Sequence, residues 1–184
     1  MLAGVSGIGA CSSPSSPAYD LTAPRQKLGG GGGSGGQLVV AEPSAIQPLE
    51  DNRILARDAA GAVSYIGGAQ WADRLPRLFQ TRLVQTFENA SRIRAVSRPG
   101  EGVTADYQLN SDLRAFQLDA VRGEAFVEVS AKLLSLRTGK IVNARVFSAR
   151  VPVSDAAGAT VAQGLDRAQA SVLLDIVRWV GTRS

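Results

Sequence analysis

Histidine is absent from all 184 residues of this sequence, and cysteine occurs once. Without His the chain lacks the usual general base at neutral pH, the base of Ser/His/Asp and Cys/His nucleophile systems, and the commonest zinc ligand. One Cys allows neither an intrachain disulfide nor a thiolate metal cluster. A hydrolase that uses paired carboxylates stays as an alternative, but no such motif stands out. We therefore expect a protein that is not an enzyme and that holds no metal and no cofactor.

Long apolar runs and clusters of basic residues are also missing. No stretch reaches the roughly 18 to 20 apolar residues that a membrane-spanning helix needs. The formal net charge is +4, but the basic residues are scattered among carboxylates and lack interleaved aromatics. A nucleic-acid interface normally clusters its basic residues, so we expect no nucleic-acid partner.

The single cysteine, Cys11, marks an abrupt change in composition. Residues 2–10 are small and apolar, whereas Ser and Pro follow the cysteine. The order Ile8, Gly9, Ala10 and Cys11 resembles a bacterial lipobox, in which small residues admit the leader peptidase and the Cys sulfur accepts a diacylglyceryl group. We expect residues 1–10 to be a cleaved signal peptide and Cys11 to carry the lipid.

The leader departs from the usual pattern in one respect. A secretory leader normally begins with a basic residue and has an apolar core of about 7 to 15 residues, but no basic residue precedes Cys11. We expect the true start codon to lie upstream of Met1. The alternative is that Cys11 is an exposed thiol without a leader.

Residues 12–36 are rich in Ser, Pro and Gly and end in a nearly pure glycine run. Such a composition buries little apolar surface and predicts a flexible tether, with a short edge strand near residues 19–23 that ends at its proline. A phosphate-binding loop would need a preceding strand and a following helix. The run is followed instead by Gln37 and a predicted strand, so we expect the folded domain to occupy residues 37–184.

Apolar spacing divides this domain into strands and two helices. One helix carries an apolar stripe at three- and four-residue intervals, and a second is predicted over residues 159–180. The stripes comprise Trp71, Leu75, Leu78, Phe79, Leu83 and Phe87 in the first helix, and Val161, Leu165, Ala168, Val172, Ile176 and Trp179 in the second. Strands are predicted at residues 38–43, 53–57, 63–66, 93–96, 104–119, 124–137 and 140–153, with a bulge at 110–112 where the alternation changes phase.

This order of elements predicts an α/β (α+β) fold. We expect a single domain with two amphipathic helices packed on one face of a mixed, mainly antiparallel sheet. The second face of the sheet is then either solvated or buried in an assembly.

Several short motifs occur in the order seen in a known family. They are Tyr19-Asp-Leu21, Leu38-Val-Val40, Arg53-Ile54, Val63-Ser-Tyr65, Trp71-Ala-Asp73-Arg-Leu75-Pro76, Asp106-Tyr107-Gln-Leu109 and Phe116. From Cys11 to the last helix the chain resembles the auxiliary lipoproteins of ABC-type transport systems, typified by the lipoprotein of the paraquat-inducible intermembrane transport system. The glycine run looks like an insertion, which costs little entropy in a surface loop.

The resemblance implies a non-enzymatic role in lipid transport between membranes. Its implied partners are a conduit protein of the mammalian-cell-entry type, with an ABC permease and ATPase, and the outer membrane through the acyl chains. In lipoproteins an Asp after the Cys favours retention at the inner membrane, so Ser12 favours the periplasmic face of the outer membrane. An alternative is an envelope-integrity, secretion or assembly lipoprotein that binds peptidoglycan or an outer-membrane pore.

Only three residues are candidates for a site. Cys11 is the expected lipidation site, and Tyr65 and Trp71 are candidates for partner contact. Large aromatics at the entry to a helix more often pack against a sheet edge, so packing is the alternative for both. The lipid carried, direct lipid binding by the domain and formation of a homo-oligomer stay open.

Overall fold

The computed structural model describes residues 16–28, 36–90 and 95–181. Within these ranges the elements are β1 (Ala18–Tyr19), β2 (Leu38–Val40), β3 (Ser44–Ala45), a 3-10 turn (Gln47–Leu49), β4 (Arg53–Arg57), β5 (Val63–Trp71), α1 (Leu75–Ala90), β6 (Val96–Ser97), β7 (Tyr107–Asp119), β8 (Glu124–Ser135), β9 (Lys140–Pro152) and α2 (Gly158–Gly181). The predicted leader at 1–10, Cys11, the glycine run at 29–35 and residues 93–94 of the predicted strand at 93–96 lie outside the described residues.

The strands form one mixed sheet in the described part of the chain. The long strand β8 pairs antiparallel with both β7 and β9, and β4 pairs antiparallel with β5. The short strands β2 and β3, together with β4, run parallel to β7, and β1 runs parallel to β5. The predicted fold class, a single α/β domain with a mixed sheet, is confirmed.

Strict alternation along β8 separates the two faces of the sheet. Every second residue from Ala125 to Leu133 has no exposed surface, whereas the residues between them keep part of theirs. Successive strand side chains point to opposite faces, and α2 packs on β8 and β9. The buried row therefore meets the helix. The other side, which bears the directly paired Gln117, Phe126 and Arg150, is here called the outer face.

The second helix follows its predicted stripe closely. Each residue of that stripe is buried, from Val161 to Trp179, because a 3.6-residue repeat keeps them on one side of the helix. Gly164 lies at the contact with the sheet, where a Cβ would come within 2.5 Å of Val153 Cγ1 and 3.0 Å of Ala125 Cβ. Glycine thus allows the helix to lie close to the sheet.

The first helix begins later than its apolar stripe predicts. Trp71 is the last residue of β5, and α1 starts at Leu75. The amide of Trp71 donates to Asn52 O at 2.6 Å, and that of Ala72 donates to Tyr19 O at 2.8 Å. These bonds hold the chain extended, so the four-residue spacing from Trp71 to Leu75 is not helical. Pro76 lies in the first turn, where its missing N–H costs nothing.

The bulge in β7 is also displaced from its predicted position. The register shifts between Leu113 and Ala115, which leaves Arg114 without a partner on β8, and not at residues 110–112. The phase of burial changes there, because Leu113 and Phe116 both lie on the helix-facing side. One inserted residue suffices for this change.

Part of the predicted flexible tether belongs to the fold. β1 covers Ala18–Tyr19, not the whole of 19–23, and pairs with Gln70 and Trp71 at the edge of the sheet. Leu21 is 1% exposed and lies in the hydrophobic core. The packed structure therefore includes residues well before the predicted boundary at 37.

Candidate functional site

The segment that follows Cys11 is held against both helices. The carboxylate of Asp166 on α2 accepts from the Thr22 amide at 2.7 Å and from its hydroxyl at 2.8 Å. Gln169 Nε2 donates to Thr22 O at 3.3 Å, and Asp20 pairs with Arg82 of α1. Together with the burial of Leu21, these bonds fix the chain from β1 onward.

Tyr65 lies on β5 and is 42% exposed. It pairs directly with Leu55, which in turn pairs with Gln117 of the outer face. Directly paired residues share a face, so the ring lies on the outer face of the sheet. The prediction of partner contact at Tyr65 is compatible with this exposure.

A break in the strand register explains why Tyr65 and Trp71 face opposite sides. Leu55 pairs with Tyr65, but Arg53, two residues earlier on β4, pairs with Gln70, which is five residues later on β5. This part of β5 therefore holds extra residues. Gly68 lies in this stretch with a φ of 69°, a conformation that glycine adopts without steric cost. After this irregular stretch the side chains of β5 point to the opposite face from the one that regular alternation would give them.

Trp71 lies in the core and not on the surface. It is 1% exposed and meets Phe116 edge to face, with ring centroids 5.6 Å apart. Such a pair adds to the burial of two large rings. Partner contact at Trp71 is therefore corrected to core packing.

Tyr65 forms one wall of a concavity, here called the Tyr65 concavity, of about 700 Å³. The guanidinium carbon of Arg53 lies 3.6 Å from the centre of the Tyr65 ring, a cation–π contact. Arg53 Nε also donates to Asp51 Oδ2 at 2.6 Å. The backbone N–H of Asn52, and then Arg53, lower the pKa of Asp51 below its ordinary value, so the carboxylate is charged at neutral pH.

Paired charges and exposed apolar atoms complete the concavity. Arg74 donates to Glu42 at 3.2 Å and also pairs with Glu50. The Glu50 hydrogen bond raises the pKa of Arg74 above its ordinary value. Pro48 lines the wall, and Ile46, beside the lining residues Ala45 and Gln47, is 55% exposed. The surface thus presents an aromatic ring, aliphatic groups and neutralised charges.

This arrangement has the composition of a contact surface. Among the described residues, no group of three or more His, Cys, Asp or Glu side chains is placed to hold a metal ion. Tyr, Arg and aliphatic groups in a concave surface are typical of protein interfaces. Neither helix of the described ranges is long and apolar enough to cross a membrane.

The stacking of Arg53 on Tyr65 was missed in the sequence, although a signal was present. The strands predicted at residues 53–57 and 63–66 form β4 and β5, in which Leu55 pairs with Tyr65. Arg53, two residues along the same face, is then close enough for its long side chain to reach the ring. The register alone could have suggested this contact.

Comparison with known proteins places this geometry among relatives. The family model for the ABC-type transport auxiliary lipoprotein component matches residues 19–177. A protein of Bradyrhizobium diazoefficiens, uncharacterized protein bll6063, is 32% identical over 167 residues, which cover 88% of this chain and 44% of that protein. The chain therefore spans less than half the length of this curated relative.

Solved structures share the fold. Protein XCC0632 from Xanthomonas campestris is 30% identical with a TM-score of 0.82, over 89% of this chain and 94% of that one. A PelC dodecamer from Paraburkholderia phytofirmans is 13% identical with a TM-score of 0.53, over 89% of this chain and 95% of that one. The second likeness is one of fold alone.

Proposed function

The chain belongs to the ABC-type transport auxiliary lipoprotein family, and from that premise we propose that it docks a mammalian-cell-entry-type conduit at the outer membrane. In this proposal the protein is lipid-anchored on the periplasmic face and works with the conduit's ABC permease and ATPase. It takes part in lipid transport without catalysing a reaction. The observation that carries the proposal is the Tyr65 concavity, a contact surface in a member of a transport family.

The proposed anchor is Cys11, preceded by the lipobox-like Ile8, Gly9 and Ala10. The strand β1 begins at Ala18, seven residues further on, and such a stretch spans at most about 25 Å. Several acyl chains give stable anchoring, so an acylated Cys11 would hold the sheet edge formed by β1 close to the bilayer. Mass spectrometry of the mature N-terminus tests this part, and an unmodified Cys11 would contradict it.

The Tyr65 concavity has the composition of an interface hot spot. Tyr and Arg dominate the binding energy of many interfaces, usually in a concave patch with a polar rim. The ring of Tyr65 is already packed against Arg53 in the free protein, so little side-chain freedom is lost on binding. Arg74 and its carboxylate partners supply the rim.

The test is affinity purification of the tagged protein from detergent-solubilised membranes, with the conduit protein quantified by mass spectrometry. Tyr65→Ala removes the ring from the concavity. Its matched control is Leu136→Ala, which truncates an apolar side chain of similar exposure, 45%, outside the concavity. We expect Tyr65→Ala to reduce recovery of the conduit by about tenfold or more, as for a hot-spot residue.

Equal recovery with Tyr65→Ala and wild type would contradict docking through this concavity. Recovery of pore or cell-wall components without any conduit protein would instead favour the alternative, an envelope-integrity or assembly lipoprotein. Thermal unfolding of both variants tests whether either effect reflects loss of the fold.

A further inference from the structure

A second cleft lies on the outer face of the sheet, away from the Tyr65 concavity. It has a volume of about 500 Å³ and is formed where β4, β7 and β9 end and β8 begins. Its walls include Arg57, Asp119, Arg122, Phe126 and Arg150. This group is here called the Arg57 cleft.

Two of the three arginines in the cleft are already neutralised. Arg150 Nη1 donates to Asp119 Oδ2 at 2.9 Å, and Arg122 Nη1 donates to the same oxygen at 3.0 Å. Arg150 also lies 3.4 Å from a carboxylate oxygen of Glu124. Burial opposes ionisation of Asp119, but the hydrogen bonds from Arg122 and Arg150 outweigh it and lower its pKa below the ordinary value.

Arg57 is the cation without a counterion. It makes no ion pair with any carboxylate of the described residues, and its Nε is buried without a hydrogen-bond partner there. The carboxylate of Asp58, which also lines the cleft, accepts from the Ala62 amide at 2.8 Å and forms no ion pair with Arg57. A buried donor that is left unpaired is costly, and Arg57 thus has a guanidinium that is neither ion-paired nor fully hydrogen-bonded within the described residues.

Apolar groups surround this charge. Val121, on the rim, is 62% exposed. The Phe126 ring is held under the Arg150 guanidinium, whose carbon is 3.7 Å from the ring centre. Small-molecule sites commonly have volumes of about 300–1,000 Å³, with apolar walls and few polar groups that fix orientation. The cleft has a volume in this range, and its lining combines three arginines, two aspartates and Gln117 with the apolar Ala59, Val121 and Phe126.

We propose that the Arg57 cleft binds a carboxylate or a phosphate ester that carries a short hydrocarbon chain. The anion receives hydrogen bonds from Arg57, and the chain lies against Val121 and Phe126. Arg122 and Arg150 form ion pairs and Arg57 forms none with the described carboxylates, so a single anionic group would complete the cleft. Such binding is separate from docking at Tyr65, since the two concavities share no lining residue.

Calorimetric titration of the purified full chain with octanoate and with octyl phosphate tests this site. Octanol carries the chain without the charge, and acetate and inorganic phosphate carry the charge without the chain. We expect saturable binding of at least one charged amphiphile and much weaker binding of all three controls. The tighter of the two amphiphiles identifies the head group, and either one supports the cleft.

The decisive variant is Arg57→Gln, which keeps a polar side chain but removes the charge. We expect it to weaken binding by about tenfold or more, as for loss of a charge-assisted hydrogen bond. Arg57→Lys should retain most of the affinity because it keeps the charge. Arg77→Gln is the matched control, because Arg77 is an exposed arginine on α1, paired with Asp73 and outside the cleft.

Amide chemical shifts of the wild-type protein give a second readout that needs no variant. Octanoate or octyl phosphate should move the amide signals of Val121 and Phe126 before others. The proposal is overturned if neither amphiphile saturates, if octanol binds as tightly, if folded Arg57→Gln binds like wild type, or if the shifts map elsewhere.

Discussion

Replacing Leu21 by Ala tests whether the segment after Cys11 is part of the folded domain. Leu21 is 1% exposed and packs in the main core. Truncating a buried Leu to Ala removes transfer free energy and leaves a cavity, at a cost of about 2–5 kcal/mol. A flexible tether would give almost no change, since surface substitutions stay within about 0.5 kcal/mol.

For a loss of about 3 kcal/mol, a protein of this size should melt about 6–12 °C lower. Thermal unfolding by circular dichroism measures the shift. The control is Leu136→Ala at a 45% exposed position, which should melt within about 2 °C of wild type.

Hydrogen exchange distinguishes a cavity from release of the segment. If the segment detaches in Leu21→Ala, the Thr22 amide, which donates to Asp166, loses protection while the amides of β8 keep theirs. If the segment stays docked, the free energy of unfolding falls throughout the domain. An unprotected Thr22 amide in wild type, together with an unchanged melting temperature in Leu21→Ala, would refute the docked segment.

Three further substitutions test other parts of the structure. Gly164→Ala should lower the free energy of unfolding, measured by urea titration, by about 1–3 kcal/mol, because overpacking against Val153 outweighs the gain in helix propensity. A higher free energy of unfolding in this variant would contradict the close contact. Asp119→Asn should destabilise at pH 7, with the difference shrinking below about pH 4. The pKa of Asp119 is lower in the folded state than in the unfolded state. The Asp119 carboxylate therefore stabilises the fold at pH values above its unfolded-state pKa, and this stabilisation is lost as the pH falls through its folded-state pKa. A pH-independent difference in melting temperature between Asp119→Asn and wild type would contradict this role. Trp71→Ala should lower the free energy of unfolding by about 3–5 kcal/mol in the same urea titrations, because it removes the buried contact with Phe116. An almost unchanged free energy of unfolding would contradict the core position of Trp71.

The sequence predicted those elements whose pattern is local and long. The whole buried stripe of α2 follows from the 3.6-residue repeat, and β8 and β9 lie within the strands predicted at residues 124–137 and 140–153. The strands β4 and β5 begin where strands are predicted, at residues 53 and 63. In each case the pattern spans enough residues to fix the buried face.

The features that were missed depend on contacts between distant residues. Trp71 continues the spacing of α1, but hydrogen bonds to Asn52 and from Ala72 to Tyr19 extend the strand. The Ser/Pro/Gly composition around Leu21 conceals one buried leucine, which is identified only by its place in the core. The Arg57 cleft likewise joins ends of four strands, and no local motif marks it.

The measurement that tests the central proposal most directly is photocross-linking in cells at the Tyr65 concavity. A photoreactive phenylalanine analogue would replace Tyr65, with the same analogue at Leu136 as the control position. The proposal predicts a cross-link from position 65 to a mammalian-cell-entry-type conduit protein and none from position 136. Cross-links from position 65 only to an outer-membrane pore or cell-wall protein, or equal cross-linking from both positions, would contradict it.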